Sequence, residues 1–250
     1  NNGYEVESKG SRQEARKYFT REFNIPESAL LCLTIGNFIK EKGYEWFLPI
    51  CKNIIAQNDN VYFLWIGSHQ HTHKELKKAI EENGLTKKII TPGHVDFFNQ
   101  YIKGADIYCL PSQTEAFPTT LLEAQYNNIP IIARDCGGAK EIIDLGGGGV
   151  ICPLHDSEKF EREILKVITQ PNTYEAGEYV FTMDRMVKAY MEHYQNTFDS
   201  YSENVDRSKF HEVFTKNAAF LQHVEVDQNK LSLMTKIKIK IKLLLGIDPY

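Results

Sequence analysis

Six short apolar runs, each followed by a longer stretch of helical period, constrain the fold of this chain more than any other feature. The runs are Leu30–Ile35, Val61–Gly67, Ile89–Thr91, Ala105–Leu110, Ile129–Arg134 and Gly149–Cys152. Several are rich in Ile, Val and Tyr, as strands buried in a sheet require. The stretches Tyr44–Gln57, His73–Asn83, Phe97–Lys103, Thr119–Asn127, Ala139–Asp144 and Ser157–Thr169 read as helices. A strand-helix unit repeated in this way predicts an α/β fold, a Rossmann-like, doubly wound parallel sheet. Punctuation agrees: Asn83-Gly84 closes one helix, Pro130 stands at the start of a strand, and Gly146 to Gly149 forms a turn.

Composition fits a globular chain, with 42% hydrophobic and 25% charged residues over 250 positions. A net charge of −4 and a pI near 6.1 give no reason to expect a nucleic-acid partner. The five cysteines, Cys32, Cys51, Cys109, Cys136 and Cys152, are odd in number and lack zinc-ligand spacing, so they read as reduced core residues. The polar residues 1–17 contain no signal-peptide core, and no stretch reaches the roughly 18–20 apolar residues of a membrane span. The expected compartment is the cytoplasm. The chain opens without Met, which leaves room for a preceding domain.

Toward the C-terminus, FTMDRMVKAYMEHYQNTF puts Met183, Met186, Val187, Tyr190, Met191 and Tyr194 on one helical face. The character changes beyond Asn196, so the expected division is a sheet domain over 1–196 and a helical extension over 197–250. That extension ends in the basic tail KIKIKIKLLLGIDPY. Its period of two suits a strand with an Ile face and a Lys face. Peripheral contact with an anionic membrane, at its inner face, is the other reading of the tail.

In an open parallel sheet, ligands bind outside the C-terminal ends of the strands, so the loops after the apolar runs matter most. After Ile35 comes GNFIKEKG, with glycine for close backbone approach and Lys42 for positive charge. After Leu110 comes PSQTEAFPTTLLEA, and after Arg134 comes DCGGAKEII. The middle loop offers Glu115 and, within the following helix, Glu123, two carboxylates able to accept hydrogen bonds from vicinal hydroxyls. Between them the helix N-terminus at Thr119–Leu121 favours an anion such as diphosphate.

With those residues in place, the chain resembles the donor-binding domain of the family 4 retaining glycosyltransferases, which have the two-domain GT-B fold. The likeness runs from Asn2-Gly3 through GNFIKEKG, IGSH, PGHV, GADIYCLPSQTEAFPTTLLEAQYNNIPIIA, GGAKEII and GGVICPLHD to FTMDRMVKAYMEHY, about the first 195 residues. The resemblance implies that Glu123 binds the donor ribose and that Glu115 lies near the transferred sugar. It implies that backbone amides of Ala116, Phe117, Pro118, Thr119, Thr120 and Leu121 (proline lending only its carbonyl) line the sugar and diphosphate. Lys42 would neutralise the diphosphate and assist its departure, with Gly36 and Asn37 beside it, and His94 and Val95 would flank the nucleobase. Donor and partner would be a nucleoside diphosphate sugar, a UDP-sugar, used in glycan or polysaccharide assembly. No metal or other cofactor is expected, and a glycan or lipid-linked acceptor would be bound by an N-terminal domain that this chain lacks, leaving the fragment inactive alone.

The chain departs from the family pattern at Asn37, where an arginine is common, and at Ala116 and Pro118, where glycines are. Two rival readings therefore stay open: a non-catalytic binding module derived from the fold, and a nucleotide-sugar epimerase. His69, His71 and His73 alternate but read as loop residues rather than metal ligands, and Cys136, with no base identifiable nearby, reads as structural.

Overall fold

The computed structural model describes residues 10–68, 73–96, 98, 101–171, 174 and 177–200, with the backbone alone at 183, 194, 195 and 197–200. The chain divides into two units, residues 2–182 and a second that holds residue 1 and residues 183–250.

In the larger unit the elements are α1 (Arg12–Phe23), β1 (Leu30–Ile35), α2 (Tyr44–Gln57), β2 (Val61–Ile66), α3 (His73–Glu82), β3 (Ile89–Gly93), β4 (Ile107–Leu110), α4 (Thr119–Tyr126), β5 (Ile131–Arg134), α5 (Ala139–Gly146), β6 (Gly149–Cys152) and α6 (Ser157–Thr169). The six strands form one sheet in the order β3-β2-β1-β4-β5-β6, every neighbouring pair parallel. Alternate strand residues feed two cores, because successive side chains point to opposite faces. Leu31, Leu33, Tyr108, Leu110, Ile131 and Ala133 pack with α1, α4 and α5. Cys32, Phe63, Trp65, Cys109, Ile132 and Cys152 pack with α2, α3 and α6. This is the doubly wound, Rossmann-like sheet that the strand-helix repeat predicts.

Two local expectations change. The helix expected over Phe97–Lys103 is, in its described part, a 3-10 turn at Ile102–Gly104. Its bonds run three residues back, from Tyr101 N–H to Phe98 O and from Gly104 N–H to Tyr101 O. So short a segment cannot offset the cost of nucleating an α-helix, and Phe97, Asn99 and Gln100 lie outside the described residues. The second change is α1, which the sequence reading did not assign. A capping box starts it, with the Ser11 hydroxyl accepting from Glu14 N–H and the Glu14 carboxylate accepting from Ser11 N–H. Asn24 in the left-handed region ends it.

Asp106, just ahead of β4, ties α1 to the sheet. It accepts from the Arg12 and Arg16 guanidiniums and, at 2.7 Å, from the Leu31 N–H. Arg16 Nη1 also donates to Ala29 O at 2.6 Å. All five cysteines are buried and none is bridged.

In the second unit α7 (Met183–Ser200) is described, and it runs through Asn196. Met186 is buried and Tyr190 is exposed. The KIKIKIK tail and its membrane reading lie outside the described residues. Among the described residues no helix is long and apolar enough to cross a membrane.

Candidate functional site

The strand order reverses between β1 and β4: from β1 the chain winds outward to β2 and β3, and from β4 outward to β5 and β6. The loops leaving these two strands therefore diverge and leave a crevice at their C-terminal ends. Lys42 and Glu115 stand in the two loops, 73 residues apart in sequence, and meet there, Nζ to Oε1 at 2.6 Å. The Ser112 hydroxyl donates to the same carboxylate oxygen at 2.8 Å.

Backbone packing holds each partner. Lys42 closes a 3-10 turn, Lys40–Lys42, and its aliphatic stem lies against Gly36. The turn is linked to the other loop by Gln113 N–H donating to Glu41 O at 2.8 Å. Gly43 follows with φ of 76°, and a Cβ there would overlap the Pro111 carbonyl. Gly137, φ 52°, lies so close beneath Glu115 that a Cβ would overlap the Glu115 carbonyl. A side chain is thus excluded at both glycines by space as well as by the left-handed backbone.

Tyr108 is near enough to both carboxylates to feel their charge. Its hydroxyl donates to Ile35 O at 3.4 Å and interacts with the Thr120 hydroxyl. Burial first, then the negative charges of Glu123 and Glu115, push its pKa well above the usual phenol range. Glu123, in the second turn of α4, is buried at 8% exposure. α4 itself begins at Pro118 and α5 at Gly138 with no side chain capping either, although the Leu121 N–H already donates to Pro118 O at 3.0 Å and the Ala139 N–H to Cys136 O at 3.2 Å.

The other expected residues are placed as follows. Asn37 is exposed, and its Oδ1 accepts from Ser68 N–H at 3.3 Å, which joins the loops after β1 and β2. Ala116 and Thr119 are exposed, Phe117 and Thr120 half-buried, and Pro118 and Leu121 buried. Phe117 rests on Phe181, ring centroids 5.7 Å apart. His94 and Val95 follow β3, two strands from β1 and so roughly 10 Å across the sheet. The structure does not bring them to Lys42 or Glu115, and the His94 ring lies 3.1 Å from Asp96 Oδ1. Burial, with Glu115 nearby, pushes the Cys136 thiol up to about 12, so it is protonated at neutral pH and no nucleophile. His73 is buried against Phe38, ring centroids 4.4 Å apart, while His69 and His71 lie outside the described residues. Sequence reasoning missed Ser112, Gly137 and the pairing of Lys42 with Glu115; the glycine pair before α5 was the signal available for the second.

A profile of the family described as glycosyl transferases group 1 matches residues 16–179. The chain belongs to that family. It is 29% identical over 205 residues to a D-inositol 3-phosphate glycosyltransferase of Kribbella flavida, covering 76% of this chain and 44% of that protein. It is 27% identical over 145 residues to an uncharacterized glycosyltransferase of Haemophilus influenzae, covering 57% and 40% respectively. Among solved structures, sucrose-phosphate synthase of Thermosynechococcus elongatus superposes with a TM-score of 0.65 at 19% identity, over 80% of this chain and 52% of that one. Anabaena Alr3699/HepE in complex with UDP-glucose gives a TM-score of 0.59 at 17% identity, over 75% and 51%. This group 1 chain thus spans about half the length, or less, of the proteins it matches.

Proposed function

We propose that this chain is the nucleotide-sugar-binding half of a retaining hexosyltransferase that uses a UDP-sugar in glycan or polysaccharide assembly. The observation that carries the reading is the Lys42–Glu115 pair at the β1/β4 reversal, beside the uncapped start of α4. A diphosphate entering the crevice meets first-turn amides and draws Lys42 away from Glu115, which frees that carboxylate to accept from sugar hydroxyls. Glu123 accepts from the ribose hydroxyls, and its burial strengthens those bonds relative to water. Lys42 then stabilises charge developing on the departing diphosphate, the part of the reaction that positioning and electrostatics can accelerate. No step requires a metal. The nucleobase lies toward His94 and Val95, and uridine is favoured because complexes of Anabaena Alr3699/HepE contain UDP and UDP-glucose. Retention of configuration rests on the family resemblance. The relatives' additional length accommodates an acceptor-binding half, and the compartment is the cytoplasm.

A thermal-shift screen with UDP-, GDP- and ADP-sugars tests this, since a ligand of the folded state raises stability by about 2.7 kcal/mol at a hundredfold excess over Kd. UDP-sugars are expected to give the largest shift, and Glu123→Ala to abolish it. No shift with any of the three removes the donor-site reading. Conversion of the donor without acceptor points to an epimerase instead.

A further inference from the structure

Arg134, the last residue of β5, is the largest fully buried side chain among the described residues, at 1% exposure. A buried guanidinium ordinarily sits against a carboxylate. Among the described residues Arg134 forms no ion pair; it is held by carbonyls and a ring. Nη1 donates to Pro111 O at 2.8 Å, Nε to Leu154 O at 2.6 Å, and Nη2 to the same Leu154 carbonyl. Its Cζ stands 4.1 Å from the centre of the Trp46 ring. Burial lowers its pKa, yet a guanidinium stays charged at any ordinary pH. Among the described residues, then, only dipoles and a ring face this interior positive charge.

The location gives that charge a use. Pro111 opens the loop that carries Glu115, and the Pro111 carbonyl is also the atom on which Gly43, next to Lys42, is seated. Arg134 thus grips the junction of the two loops that form the crevice. Lys42 is neutralised there by Glu115, so the pair as it stands offers a diphosphate no net charge. Arg134 is bonded to the start of the Glu115 loop at Pro111 O, and among the described residues no acid pairs with it.

We propose that Arg134 is a positioning residue for the diphosphate of the donor: it fixes the loop over Pro111–Glu115 against the Lys42 turn, and its unpaired charge biases the crevice toward anions. The proposal rests on the donor-site reading above.

Two variants of the full chain separate charge from packing. Arg134→Met fills the volume without charge, and Arg134→Lys keeps the charge while losing the fork. Calorimetry with UDP and with uridine reads the anion bias as a ratio of affinities. Arg134→Met is expected to lower that ratio about tenfold, and Arg134→Lys to hold it within about threefold of the parent, the scale of one charge acting through a partly screened interior. Hydrogen exchange reads the grip without any ligand. The Gln113 amide, bonded to Glu41 O, exchanges faster in Arg134→Met and at close to the parent rate in Arg134→Lys. An unchanged affinity ratio in Arg134→Met, or equal loss of UDP and uridine binding, overturns the charge role. Unchanged Gln113 exchange overturns the positioning role. If the parent binds neither ligand, the donor reading has failed, and the exchange measurement alone decides whether Arg134 sets the loop. Should Arg134→Met not fold, an affinity ratio in Arg134→Lys that departs from the parent by more than about threefold overturns the proposal.

Discussion

Lys42 and Glu115 satisfy one another, so a diphosphate bound as proposed would compete with a carboxylate for the lysine. Removing that competition has a sign that can be measured. Glu115→Gln is expected to tighten UDP binding about threefold, because the lysine no longer has to leave an anion. Lys42→Met is expected to weaken UDP binding by at least about tenfold, as loss of a charge-assisted bond costs roughly 1.5–3 kcal/mol. Calorimetry on both variants checks the pair of signs; weaker binding in Glu115→Gln would place the carboxylate on the nucleotide instead. Lys42→Met should also destabilise the protein by about 1–2 kcal/mol in urea unfolding, since Glu115 keeps only 14% of its side-chain exposure and loses its cation. The double variant should recover part of that loss.

At the scale of elements, the junction between the β4 loop and α5 depends on Gly137. Gly137→Ala combines a left-handed backbone with overlap of the Glu115 carbonyl, and is expected to cost about 2 kcal/mol or more and to weaken UDP binding with it. Helix α1 hangs on Asp106. Asp106→Asn leaves Arg16, at 10% side-chain exposure, without its counter-charge and should cost about 2–3 kcal/mol by urea unfolding. Arg12→Ala should cost less than about 1 kcal/mol, because Arg12 is half exposed and its charge screened. The strands were legible because apolar runs of seven or fewer residues between helical stretches have few other uses, although Ala105–Leu110 and Ile129–Arg134 shorten at their starts to Ile107 and Ile131. α1 was not, even though Ser11 and Glu14 spell a capping box, because only Ala15, Arg16 and Phe19 of its residues are buried and its apolar stripe is thin. Arg134 read as the polar end of a strand. Nothing local to it says that two carbonyls and a tryptophan from distant segments surround it.

For the whole molecule, the sheet's β-α repetition was readable, whereas the meeting of Lys42 with Glu115 follows only from the strand order, which no local pattern encodes. The resemblance supplied the candidate residues; the topology supplied their adjacency. Since the chain covers 40% and 44% of the lengths of the Haemophilus and Kribbella relatives, it is expected to bind a UDP-sugar weakly and to transfer no sugar to an acceptor on its own. A radiolabelled-donor assay with the 250-residue chain checks this, and measurable transfer would show that the acceptor site lies within it. Gly137 places Glu115 through contact between two backbones rather than through side chains. A main chain seated in that way gives the acid a fixed root, so that Lys42 and Ser112, the two side chains that bond its Oε1, have only the aim of the carboxylate left to set.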